Sequence, residues 1–241
     1  MKTLRTLEGF LAIYGLEKIA LDETNMSWVA ESEEEERQLK IRSFNFRFKK
    51  PEQIPHKAPF SVITRSIIAS TKNQDWEVPL NFFRKGRNDF QERRYIDAIH
   101  DFYFLLETLF GNGKTRNRQV KSEFRKSPEL LNHIAQILKA GEQSIRRRGG
   151  RTNLLDVFRD KYSKKSPEEY IDYIVDLRGF LHHHTLQNRK IWHPALEYEY
   201  ELDALLLQDL CFKLCSTKVE SIVCVPLTPE ERQKMKPKGS G

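Results

Sequence analysis

Arg178, His182, His183 and His184 are the residues whose types and spacing come nearest to chemistry in this chain. The arginine interrupts an apolar stripe, four residues after Ile174 and three before Leu181. A guanidinium in such a place must be paired, or must face a cavity where an anion is expected. Three consecutive imidazoles follow where the apolar pattern gives out. Histidine titrates near neutrality and suits proton transfer, and the fork of arginine suits a phosphoryl group. On a straight helix His183 lies about 140° around from Arg178 and His182 only about 40°. Gly179 makes distortion of the helix cheap, so the functional histidine stays open among the three. A metal reading fails on geometry, because adjacent helical residues fan apart by about 100° and one ion cannot take all three. His193 could join one of them, but no carboxylate at ligand spacing completes a set, so no metal and no other cofactor is expected. A purely structural alternative pairs Arg178 with Glu107 or Asp176 and leaves the histidines at a helix end that the dipole favours.

The element that must carry these groups opens with Ser166-Pro167-Glu168-Glu169. Ser166 can cap, Pro167 fits the first helical position, and the glutamates suit the positive end of the dipole. Tyr170, Ile171, Ile174, Leu177 and Leu181 then keep the spacing of a helix buried along one stripe. A second strong helix spans Tyr95 to Phe110, with Ile99, Phe102, Leu106, Leu109 and Phe110 as its apolar face and Gly111 as its stop. Glu107 lies beside that face, in water or facing Arg178. Further helices are expected over about 119–124, 128–139, 153–162 and 197–217, with Gly141 breaking the second of them. Residues 221–225 read as a strand or a segment crossing back over the bundle. Gly111-Asn112-Gly113-Lys114-Thr115 invites comparison with a phosphate-binding P-loop, but it follows a helix and lacks the first glycine, so a glycine-rich turn explains it.

Upstream the pattern changes. Phe44, Phe46 and Phe48 alternate with Ser43, Asn45 and Arg47, the period of a half-buried strand. Residues 60–68 are β-branched and fit another, and 11–21 and 26–30 could supply two more. The expected fold is therefore α+β: a β-rich accessory region over 1–88, an all-α helical domain over 89–226 and a flexible tail over 227–241.

Composition narrows the partners. The formal net charge is +7, and the excess is uneven. Lys114, Arg116, Arg118, Lys121, Arg125 and Lys126 face the single acid Glu123, and a second cluster joins Arg146, Arg147 and Arg148 to Arg151. Such clusters favour a polyanion such as RNA, or are solvated loops. Cys211, Cys215 and Cys224 are too few for a disulfide framework, and no run is long enough to cross a bilayer or to read as a signal peptide. A cytoplasmic protein with no membrane partner is expected.

The order is a helix ending Leu105-Leu106-Glu107-Thr108-Leu109, a basic connection, then Leu177-Arg178-Gly179-Phe180-Leu181-His182-His183-His184 and a closing helix. It resembles the HEPN superfamily over about residues 90–225. The motif of that superfamily is an arginine, four to six intervening residues and a histidine near a helix end. Arg178 and His183 have four between them, and Arg178 and His184 have five. Within the superfamily the chain is most similar to proteins of the methylamine-utilisation J type, through residues 102–107, 111–115, 178–185 and Ile191-Trp192-His193-Pro194. The position after the arginine is usually polar in active members, and here it is Gly179.

The resemblance implies a helical bundle, a homodimer with the motif at its interface, and metal-independent endoribonuclease activity by 2′-hydroxyl attack in a stress, toxin or phage-defence setting. Arg178 and His183 would be catalytic, supported by His182, His184 and Glu107. Lys114, Arg116, Arg118, Lys121, Arg146, Arg147 and Arg148 would hold RNA. The alternative is a non-catalytic binding module for a nucleotide, RNA or a protein partner such as an antitoxin, or an accessory protein linked to methylamine utilisation.

Overall fold

Residues 7, 9–15, 34, 65–66, 74–147, 152–182 and 192–223 are described by the structure, a computed structural model, and every regular element among them is helical. The helices are α1 (Glu77–Gln91), α2 (Tyr95–Phe110), α3 (Asn117–Arg125), α4 (Pro128–Arg147), α5 (Thr152–Lys161), α6 (Pro167–His182) and α7 (Glu201–Val223). Short 3-10 stretches, Gln74–Trp76 and Pro194–Tyr200, precede α1 and α7.

α2 is the centre of the bundle. Ile99, Phe102, Leu105 and Leu106 are almost wholly removed from water, and each buried side chain of this size stabilises the fold by about 1.5–3 kcal/mol. α1 folds back on α2 through a tight turn in which Arg93 adopts a left-handed conformation, φ 62°. Close packing of this hairpin needs Gly86, where a Cβ would lie 2.8 Å from the Phe102 ring. Lys85 bridges the two helices to Asp101 at 3.0 Å, and Arg94 pairs with Asp89. α7 lies against α1 and α2. Its Leu202, Leu205, Leu206, Leu210 and Leu214 are buried as their spacing predicts, and the Cys211 thiol donates to the Phe102 carbonyl at 3.6 Å. Burial pushes the Cys211 and Cys215 thiols well up, so both are unreactive packing residues.

α6 begins with a capping box. The Ser166 N–H donates to Glu169 Oε2 at 2.8 Å and the Glu169 N–H donates back to Ser166 Oγ at 3.2 Å, which satisfies two donors that a helix start leaves open. Tyr170, Ile171, Ile174, Leu177 and Leu181 are all buried. α3 packs along α6 and is tied to it by Lys121 to Asp176 at 2.7 Å and by Arg125 to Asp172. Between those two aspartates, Tyr173 of α6 donates to Asp203 of α7 at 2.5 Å, and Asp203 also accepts from Lys161 at 3.2 Å and from Tyr162.

Two helix ends run well past the sequence expectation, and the expected start of the last helix at 197 falls in the 3-10 stretch before α7. α4 does not break at Gly141 but runs on to Arg147, because Gly141 lies under the Phe158 ring of α5, whose nearest atom would stand 2.2 Å from a Cβ. Ser221–Val223 form the last turn of α7 and not a strand. Upstream, residues 7 and 9–12 are helical, and Phe10 and Ala12 join the same core. Leu11 and Ala12, within the expected strand 11–21, and Arg65 and Ser66, within 60–68, are likewise helical. The expected strands at 26–30 and 41–48 and the tail at 227–241 lie outside the described residues. α1 runs across positions 88 and 89, where the sequence boundary falls.

Candidate functional site

Arg178 sits in the last turns of α6 and points at α2. Its guanidinium lies over the Tyr103 ring, 5.4 Å from the ring centroid. Its Nε is buried and has no hydrogen-bond partner among the described residues. Neither carboxylate of the structural alternative holds it: Asp176 is bound to Lys121, and Glu107 makes no ion pair with Arg178 among the described residues. Glu107 acts on Tyr103 instead. Burial, with the Glu107 carboxylate adding to it and Arg178 opposing, pushes the Tyr103 phenol up to about 12. Tyr103 is therefore a neutral ring at any physiological pH, and an aromatic face attracts a cation by about 0.5–1 kcal/mol when exposed and about 2 kcal/mol or more when desolvated.

One turn further along the same interface, His182 of α6 meets His100 of α2, with ring centroids 6.3 Å apart and nearly perpendicular. His100 also stacks beside Phe104 at 6.4 Å. Burial holds the His100 imidazole below its ordinary value, and the neighbouring His182 and Arg178 reinforce the shift. His182 itself is exposed. Trp192, on the segment that returns towards α7, donates from its indole N–H to the Leu181 carbonyl at 3.1 Å and borders this end of α6. His183 and His184 lie outside the described residues.

Gly179 proves to be a contact residue. α6 stays helical from Pro167 through His182, and a Cβ on Gly179 would lie 3.0 Å from the Asn117 side-chain amide. The start of α3 thus comes up beside Arg178. Arg116 and Arg118 flank Asn117, and with Lys114 they are exposed and make no ion pair among the described residues. The rest of that basic stretch is committed: Lys121 and Arg125 bind α6 carboxylates, and Lys126 binds Glu123 at 2.7 Å. Lys121 is therefore a brace between α3 and α6.

The second basic cluster stands elsewhere. Arg146, at the end of α4, approaches Glu142 at 3.9 Å, a carboxylate that Arg159 of α5 also binds. Arg147 lines a groove between α4 and α7 with Asp209 and Lys213. No contact among the described residues joins either to Arg178, and Arg148 lies outside them. His193, the fourth imidazole weighed for a metal, has its Nδ1 occupied by the Ala195 N–H at 3.1 Å. No group of three metal-ligating side chains occurs among the described residues, and no helix among them is long and apolar enough to cross a membrane.

Sequence reasoning found Arg178, His182 and Glu107 but missed His100, Tyr103 and Asn117. A signal for two of them was present: positions 100, 103, 104 and 107 recur at helical spacing, a second stripe beside the apolar face of α2. Asn117 left no signal, because its place depends on how α3 packs. The chain matches no family model, no curated protein and no solved structure.

Proposed function

We propose that this protein binds RNA and cleaves it as a metal-independent endoribonuclease of the HEPN type, acting as a homodimer in a stress, toxin or defence setting. The observation that carries this reading is Arg178, a half-buried guanidinium laid on Tyr103 with no acceptor for its Nε among the described residues. A buried donor left unpaired costs about 1–3 kcal/mol, and no carboxylate among the described residues answers the charge, so the outer N–H groups of the fork remain to meet a phosphoryl oxygen. Two imidazoles, His100 and His182, meet within one helical turn of Arg178, and imidazole is the side chain best suited to proton transfer. The ribose 2′-hydroxyl attacks the adjacent phosphorus, leaving a cyclic phosphate and a 5′-hydroxyl. Arg178 takes the charge that builds on the phosphoryl oxygens. His183, one residue beyond α6, moves a proton, with His182 and His184 as its neighbours in the same role. Lys114, Arg116 and Arg118 hold the strand beside the site.

Labelled mixed RNA incubated in excess EDTA tests this reading. The wild type is expected to yield cyclic-phosphate ends, and Arg178→Ala to lose about 100- to 1,000-fold of the rate. His183→Ala is expected to be inactive. Salt-sensitive RNA binding without any product would replace the nuclease by a non-catalytic binding module.

A further inference from the structure

His100 belongs to a different helix from the motif residues, yet it stands among them. His100 and Tyr103 lie three residues apart on α2, and Arg178 and His182 lie four apart on α6. The helices therefore meet in two rungs: Arg178 on Tyr103 at 5.4 Å, and His182 against His100 at 6.3 Å. An in-line displacement at phosphorus holds its entering and leaving oxygens on opposite sides, so it needs one group to take a proton and another to give one. Two imidazoles facing each other beside a guanidinium provide such a pair. We propose that His100 is the general base of this site, accepting the proton of the attacking 2′-hydroxyl, while a histidine at the end of α6 serves as the general acid.

The inference rests on the endoribonuclease reading and adds a residue from a second helix to it. In the step, the 2′-hydroxyl proton passes to a ring nitrogen of His100 as the 2′-oxygen bonds to phosphorus. The bond from phosphorus to the 5′-oxygen breaks, and the histidinium at the end of α6 protonates that oxygen. The step leaves His100 protonated and its partner neutral, and exchange with water restores both. No electrons are transferred. The surroundings of His100 suit a base. Lys85 of α1 and Arg178 and His182 of α6 all oppose a positive charge on it, and only Asp97 of its own helix favours one. Burial acts in the same direction as the cations, so the ring is held towards the neutral form that can accept a proton.

The test is the pH–rate profile of cleavage in excess EDTA for the wild type and His100→Gln, with a thermal melt of each to show that both are folded. The wild type is expected to give a bell, and His100→Gln to lose about 100- to 10,000-fold of the rate together with the acidic limb of that bell. A second substrate separates base from acid: a ribonucleoside 3′-phosphate ester of para-nitrophenol, whose leaving group needs no proton. It is expected to rescue whichever of His182→Ala and His183→Ala is inactive on RNA, and not to rescue His100→Gln. A folded His100→Gln enzyme that keeps both limbs of the bell, or is rescued by the activated ester, would overturn the role of His100 and leave the nuclease standing. A folded wild type that cleaves neither substrate at any pH would overturn both.

Discussion

A guanidinium that rests on a tyrosine ring is held in place without being neutralised. That distinguishes Arg178 from Arg125, whose charge is answered by Asp172, and leaves its hydrogen-bonding edge available to a ligand. Arg178 was legible in the sequence because it breaks an apolar stripe. His100 was not, because a polar residue one step from the buried face of a long helix usually points to water, and only the packing of α6 turns this one inward. Asp101, on the other flank of α2, shows the same limit. It is buried beside Asp89, and burial lifts its carboxyl to about 7 although Lys85 pulls the other way. The folded chain thus holds this proton more firmly than the unfolded chain does. The resulting stabilisation is complete below the ordinary carboxylate value of 3.8 and is lost as pH rises through about 7. Thermal melts are expected to show a midpoint that falls between about pH 4 and pH 7 and then levels off. Asp101→Asn, which keeps an oxygen for Lys85, should flatten that fall.

Helices α4 and α6 each contain one interior glycine, and the two serve different contacts. Alanine is intrinsically better than glycine in a helix by about 1 kcal/mol, so propensity alone predicts that both substitutions stabilise. Gly141→Ala would drive a methyl into the Phe158 ring, and overpacking of this kind costs about 1–3 kcal/mol. Gly179→Ala meets only the end of the exposed Asn117 side chain, which can swing aside. Denaturant unfolding is therefore expected to show Gly141→Ala less stable than the wild type by about 1–2 kcal/mol and Gly179→Ala more stable by about 0.5–1 kcal/mol. Equal signs for the two would contradict the packing. Helix identity was readable from periodicity and caps: α2 matches its expected bounds, and the Ser166–Glu169 box sits where the residues predict it. The continuation of α4 was not readable. A glycine looks the same in sequence whether it ends a helix or lets another helix approach.

Across the whole molecule the sequence separates a strand-like first third from a helical remainder, yet the helical core already includes Phe10 and Ala12. Such long-range packing has no local signature. The charge distribution carries a similar lesson. Six cations between positions 114 and 126 suggest a strong electrostatic footprint, but three of them have partners within the bundle. Each phosphate that a protein neutralises on single-stranded nucleic acid releases condensed counterions and steepens the salt dependence by about 0.7 in log–log slope. Lys114, Arg116, Arg118 and Arg178 acting together give a slope of about −3, whereas all six cations with Arg178 would give about −5. A titration of single-stranded RNA against rising salt is expected to give the shallower value. The bonds that fasten α3 to α6 thus also weaken the grip on a polyanion, so the protein would let go of its strand more readily than its net charge implies.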